Sequence, residues 1–271
     1  MIQQPTIIAI DFDGVICDGM IEYFQTAWRT YCDVWSPVNF NPSEEEEEEE
    51  EELAQQFYRT RPVIETGWEM PILVRALILG ISENTILQDW QSVCQKIVQE
   101  EEIKPEKIGP LLDTIRDEWI KKDFDGWLKL HRFYPGVIDQ LKQWLNPSTK
   151  PLIQPIIITT KEERFVRALL QQQNINMPDG TIYGKGCKRP KYETIRQLLS
   201  TPTSPPIIWF IEDRLKALLA VEKQSDLTEV QLFLADWGYN TQTEKKITEN
   251  HPRIKLLTLN QFTQSFSHWL S

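Results

Sequence analysis

The chain opens on an unbroken apolar run, Ile7, Ile8, Ala9 and Ile10, that ends at Asp11 and Asp13 with Gly14 behind them. A run of this kind, rich in β-branched residues, predicts a strand buried on both faces, as in a parallel sheet. From about residue 134 onward the pattern alternates. Residues 156–159, 207–211, 232–235 and 254–258 read as strands, and 162–173, 213–222 and 261–270 as helices. That alternation predicts an α/β domain, a parallel sheet wrapped by helices. Residues 19–133 lack a convincing strand pattern. There Ile86, Trp90, Val93 and Ile97, and again Ile108, Leu112, Ile115 and Trp119, recur at the spacing of helical stripes. The first strand therefore belongs with the C-terminal part. The expected organisation is a discontinuous core of residues 1–18 and 134–271 with an all-helical insertion at 19–133.

Composition adjusts this picture in three ways. At 271 residues and 41% hydrophobic content the chain suits one large domain, or a core with one inserted domain. The net charge of −11 falls to −2 without the nine consecutive glutamates of residues 44–52, so the folded surface is expected to be nearly neutral. A surface without basic patches argues against nucleic acid or an anionic membrane as partner. The glutamate run itself reads as a solvated acidic loop at 43–52, because like charges one helical turn apart oppose a helix. The four cysteines, Cys17, Cys32, Cys94 and Cys187, have neither CxxC nor metal-finger spacing and are expected to be idle thiols in a reducing compartment. The longest apolar stretch, residues 71–81, is too short to span a bilayer and contains Arg75. A strand beginning near Thr6 with no Lys or Arg before it leaves no room for a signal peptide. A soluble cytoplasmic protein is the expectation.

Candidate chemistry gathers at the ends of the predicted strands, where α/β sheets bind ligands. Asp11 and Asp13 end the first strand and, by strand alternation, point to one side. Their proximity calls for a cation. Thr159 ends the strand in IIITTK, Lys191 opens a helix in KRPKYETI, and Glu212 and Asp213 end the strand in IIWFIEDR. Each has an ordinary reading when taken singly. Thr159 suits a turn-capping hydroxyl, Lys191 a solvated lysine, and the two acids a helix N-terminus. Four such coincidences at one sheet edge are a different matter.

Taken in order, these segments resemble the motifs of the haloacid dehalogenase-like hydrolase superfamily, and the resemblance covers the whole chain. DFDGVICDG is similar to its first motif, IIITTK to its second, the lysine-bearing helix start to its third and IEDR to its acidic fourth. Phe133-Tyr134-Pro135-Gly136-Val137 resembles the re-entry from a helical cap, and Trp237-Gly238-Tyr239 the segment after the fourth motif in phosphoglycolate phosphatase-like members. The resemblance implies a Rossmann-like core with an inserted helical C1 cap, and a Mg²⁺-dependent phosphatase acting on a small phosphorylated metabolite. It implies Asp11 as the nucleophile that becomes an aspartyl phosphate. Asp13 would be the general acid and base with a raised pKa while Asp11 stays ionised, Thr159 a phosphoryl hydrogen-bond donor, and Lys191 the cation that holds the nucleophile. Lys188 remains an alternative to Lys191. Mg²⁺ would lie between Asp11, the main-chain carbonyl of Asp13, and Asp213 with Glu212 beside it. Many relatives carry a further acid four residues after the fourth-motif aspartate; here that position is Ala217, and the Glu212-Asp213 pair stands in. In the insertion, Arg61 and Trp68 are candidate substrate readers, or else an arginine and a tryptophan packing one helix on another. A phosphomutase on the same scaffold and a non-catalytic binding protein are the competing readings.

Overall fold

A computed structural model describes residues 4–35, 44–148, 152–200 and 206–270. In chain order the elements begin with strands β1 (Ile7–Ile10) and β2 (Cys17–Asp18), followed by helices α1 (Met20–Trp35), α2 (Glu44–Thr60), α3 (Glu69–Ile78), α4 (Glu83–Glu100), α5 (Pro105–Lys122) and α6 (Phe124–Leu128). Next come β3 (Arg132–Phe133), α7 (Val137–Leu145), β4 (Gln154–Ile158), α8 (Glu163–Gln172), β5 (Ile182–Tyr183) and α9 (Lys191–Leu199). The chain then runs through β6 (Ile208–Glu212), α10 (Leu215–Glu222), β7 (Gln231–Ala235), α11 (Gln242–Glu249), β8 (Ile254–Leu257) and α12 (Leu259–Phe262). The chain divides into two compact units, Met1–Asp18 with Arg132–Ser271, and Gly19–His131.

The first unit is built on a six-stranded sheet in the order β5-β4-β1-β6-β7-β8, with every pairing parallel. This is the α/β, Rossmann-like architecture that the alternating pattern predicts. β1 sits between β4 and β6. The chain runs outward on one side through β4 and β5 and on the other through β6, β7 and β8, so the topological switch point lies beside β1. One sheet face carries Ile7, Ala9, Ile156, Ile158, Ile208, Phe210, Leu232 and Leu234, covered by Ile195 of α9 and by Leu215, Leu218 and Val221 of α10. On Trp209 and Phe233 sits an aromatic cluster with Trp144, Phe262, Phe266 and Trp269. Three short strands fall below the length at which a sequence pattern is readable. β2 and β3 pair antiparallel, Cys17 with Phe133 and Asp18 with Arg132. This pairing places Arg132 and Phe133 with the sheet unit. β5 contributes two residues at the edge.

Two segments differ from expectation. The acidic loop expected over 43–52 is helical from Glu44 as the start of α2, and Ser43 lies outside the described residues. Glutamate is a good helix former and suits the positive end of the helix dipole. The C-terminal half of α2 is anchored by buried Ala54 and Phe57. The closing helix expected over 261–270 is instead α12 and a separate 3₁₀ turn, Phe266–Leu270. Between them the Thr263 hydroxyl donates to the Asn260 carbonyl and Ser265 Oγ bonds His268 Nδ1, side-chain competition that ends the helix.

The second unit is helical among its described residues. In α4, Ile86, Trp90 and Ile97 are buried, as are Ile108 and Leu112 of α5. Among the described residues no helix is long and apolar enough to cross a membrane. Within this unit Glu22 is fully buried and accepts from Arg116 Nε (2.7 Å), Trp127 Nε1 (3.1 Å) and the Thr26 hydroxyl (2.7 Å). Removing one partner of a buried ion pair strands the other charge. Glu22→Ala is therefore expected to cost about 3 kcal/mol in the unfolding of the helical unit, measured as the loss in urea stability followed by tryptophan fluorescence.

Candidate active site

The parallel register brings the acids together. Ile10 lies beside Ile211 on one flank and Ile157 on the other, and Asp11 N–H donates to the Ile211 carbonyl at 3.0 Å. Asp11 and Glu212, the next residues along, thus stand side by side on the sheet face that α9 and α10 cover. Ile195 anchors α9 in that face with no exposure, and Lys191, one turn earlier on the same stripe, is aimed at the acids. Its Nζ lies 2.6 Å from Glu212 Oε2 and 2.8 Å from Asp11 Oδ1. Lys188, by contrast, is exposed and left-handed at φ 48°, at the end of the 3₁₀ turn Lys185–Cys187. Of the two lysines, the structure brings Lys191 to the carboxylates.

Asp213 completes the group. One oxygen each from Asp11, Glu212 and Asp213 lie within 4.8 Å of one another. Asp213 Oδ2 accepts the Tyr239 N–H at 2.8 Å, and Asn240 Nδ2 bridges the carbonyls of Asp213 and Ala235. Two glycines make room for this carboxylate. A Cβ at Gly14, which has φ +82°, would fall 2.1 Å from Asp213 Oδ2, and one at Gly238 would fall 2.2 Å from Asp213 Cβ. Glu212 Oε1 accepts the N–H groups of Asp213 and Arg214, both at 3.1 Å, so this side chain organises the turn as well as Lys191.

Charge in the cluster is unbalanced. Burial pushes the Asp11 carboxyl up to about 7, against the opposing effect of Lys191 and reinforced by Glu212. Burial, Glu212 and Asp11 together hold Asp213 well above the usual carboxylate range. Burial works to lower the Lys191 pKa, but the two carboxylates outweigh it and the net shift is upward. Asp11 Oδ1 is buried and, apart from the ion pair, makes no hydrogen bond among the described residues. Three buried carboxylates facing one ammonium are a donor set that fits a hard divalent cation, which would return these groups to their ionised forms. The expected ordering, with Asp11 as the ionised member of the pair, is therefore not a property of the protein groups alone.

Asp13 stands in the tight turn after β1, where Gly14 N–H donates to the Cys17 carbonyl at 2.8 Å. Its carboxylate lies 3.1 Å from Lys161 Nζ, a partner that sequence reasoning missed although Lys161 stands in the quoted IIITTK. Thr159 is buried at the end of β4, and its Oγ1 accepts the Lys161 N–H at 3.1 Å. Arg61 and Trp68 belong to the helical unit. There the Arg61 guanidinium lies over the Tyr23 ring at 5.1 Å and donates to the Ile64 carbonyl, and Trp68 precedes α3.

The Asp11 shift has a stability consequence with a definite sign. The folded carboxyl holds its proton up to about pH 7 and the unfolded one releases it near 3.8, so raising the pH through that window costs stability when no metal is bound. Asp11→Asn removes this titration. In EDTA the variant is expected to gain about 4 kcal/mol over the unaltered protein between pH 4 and pH 8. The measurement is the urea midpoint at each pH; a gain independent of pH contradicts the assignment.

No protein-family model and no curated protein matches this chain. Solved structures do. A haloacid dehalogenase-like family hydrolase from Streptococcus pneumoniae superposes with a TM-score of 0.52 at 17% identity, covering 93% of each chain. A predicted phosphoglycolate phosphatase from Haemophilus somnus gives 0.53 at 13% identity over 89% of each chain. A predicted phosphatase from Clostridium acetobutylicum gives 0.52 at 12% identity, covering 96% of this chain and 97% of its own. With its central strand, its switch point and its C-terminal strand ends in the arrangement described above, the chain has the fold of the haloacid dehalogenase-like hydrolases.

Proposed function

We propose that the protein is a Mg²⁺-dependent phosphatase that hydrolyses a small phosphomonoester through a phosphoaspartyl intermediate. The observation that carries this reading is the buried group of Asp11, Glu212, Asp213 and Lys191 at the switch point of the sheet. The solved structures of the same fold described as phosphatases add to it. In this reading an oxygen of Asp11 attacks phosphorus and the ester alcohol leaves with a proton from Asp13. Asp13 then takes a proton from water, which attacks the phosphorus of the acyl phosphate, frees inorganic phosphate and restores the Asp11 carboxylate. Lys191 holds Asp11 in place and balances negative charge on the transferring group. Thr159, whose oxygen already accepts the Lys161 N–H, directs its hydroxyl hydrogen away from that turn and toward a phosphoryl oxygen. Asp11, Asp213 and the main-chain carbonyl of Asp13 would hold Mg²⁺, with Glu212 beside them, and the ion supplies positive charge for the phosphoryl oxygens.

The helical unit enters the chain directly after the first motif, between β2 and β3, and we assign substrate selection to it. The packing of Arg61 on Tyr23 favours a structural role for that arginine. A small substrate also fits a chain whose formal charge outside the glutamate run is close to neutral. All four cysteines are free thiols, in keeping with a reducing cytoplasm.

Purified protein assayed against a panel of metabolite phosphomonoesters is expected to release phosphate with Mg²⁺ and to stop in EDTA. Asp11→Asn is expected to abolish release while the circular dichroism spectrum is unchanged. Activity surviving in that variant rules out the covalent route, and silence across the panel by the unaltered protein rules out the phosphatase.

A further inference from the structure

Two lysines serve this site, and they divide its acids. Lys191 is engaged by Asp11 and Glu212. Lys161 stands 3.1 Å from Asp13, with side-chain exposures of 8% and 16%. An ion pair this deeply sunk differs from a surface pair, where solvent and side-chain freedom leave the geometry loose. The backbone that carries each partner is also held. Lys161 N–H donates to Thr159 Oγ1, and its carbonyl accepts the Lys185 N–H at 2.9 Å. The chain at residue 184 passes so close that a Cβ there would lie 2.7 Å from the Lys161 carbonyl oxygen and 2.8 Å from Glu163 N, so only glycine fits. On the other side, Asp13 is fixed in its turn by the Asp13–Cys17 bridge and by Gly14 N–H on the Cys17 carbonyl. Two anchored turns, from the neighbouring strands β1 and β4, thus meet at one carboxylate.

We propose that Lys161 is the positioning residue of Asp13: its ammonium fixes where that carboxyl group stands when a proton passes to the departing alcohol. The inference rests on the reading of Asp13 as the proton donor. Proton transfer requires the donor within hydrogen-bond reach of the leaving oxygen, and small misplacements of a reacting group are costly. An alkyl alcohol needs that proton to leave; p-nitrophenolate does not. Loss of the positioning group therefore separates the two classes of ester, whereas a general structural defect lowers both alike.

The test compares kcat/KM, which covers the steps through phosphoenzyme formation, for the best alkyl phosphomonoester of the panel and for p-nitrophenyl phosphate. Lys161→Met is expected to lose about tenfold more on the alkyl ester than on the aryl ester, and Lys161→Arg to recover most of the difference. Gly184→Ala, which presses on the Lys161 carbonyl, is expected to show the same selective loss. Asp13→Ala sets the reference for selectivity, and adding Lys161→Met to it is expected to cost nothing further on the alkyl ester. Equal losses of Lys161→Met on both esters, or none, overturn the role of Lys161 while a selective Asp13→Ala leaves the phosphatase mechanism standing. An Asp13→Ala variant that is active but unselective overturns both the acid and its positioning residue.

Discussion

An ammonium group lodged between two carboxylates of adjacent strands is the contact on which the site depends. Asp11 and Glu212 are neighbours because β1 and β6 are parallel and in register, and the polypeptide cannot separate them without breaking the sheet. Both are buried, so each unpaired charge would carry a desolvation cost of several kcal/mol. Lys191 compensates for part of this, and it can do so only because Ile195 seats α9 on the same face. The sheet, the helix and the charge pair therefore stabilise one geometry. With Asp213 counted, two carboxylates remain beyond what the single ammonium of Lys191 can balance, which makes a divalent cation the fitting complement.

The surroundings of Asp213 follow a steric logic. Its carboxylate occupies space left open by Gly14 and Gly238, two positions on loops far apart in sequence. Either glycine, given a side chain, would displace the acid. The segment around Gly238 also supplies Tyr239 N–H to Asp213 and the Tyr239 hydroxyl to Asp18 Oδ1 at 2.9 Å. One loop after β7 thereby ties the cluster to the residue at which the helical insertion departs. In the proposed phosphatase this loop has no chemical step of its own. Its contribution is to hold Asp213 and Asp18 in one frame.

Much of this was legible along the chain. The long apolar runs of β1, β4, β6 and β7 announce themselves because strands buried on both faces have few polar positions. The acids and the threonine sit where those runs end, and the lysine opens a helix. Lys191 could be favoured over Lys188 because Lys191 with Ile195 has the lysine-to-apolar spacing of some members of the family that the motifs resemble. Other features were not legible, for physical reasons. β2, β3 and β5 are two residues each, too short to show any period. The glutamate run reads as a loop from like-charge repulsion. In the fold it is carried as helix by the buried residues that follow it, Ala54 and Phe57. Lys161 has no local signal at all, since a lysine two residues past a strand is commonly solvated. The fold brings it the carboxylate of Asp13, 148 positions away in the sequence.

Local order along the chain decides the α/β class, the point at which a helical segment interrupts it, and the types of side chain at the strand ends, because period and apolar run length are local properties. Which acid meets which lysine is decided in three dimensions. Register places Asp11 beside Glu212, helix docking delivers Lys191, the close approach of two glycine-bearing loops admits Asp213, and the turn after β4 carries Lys161 to Asp13. The pairs Lys191–Asp11 and Lys161–Asp13 join residues more than a hundred positions apart, and the pairing energy depends on burial that no stretch of sequence contains by itself.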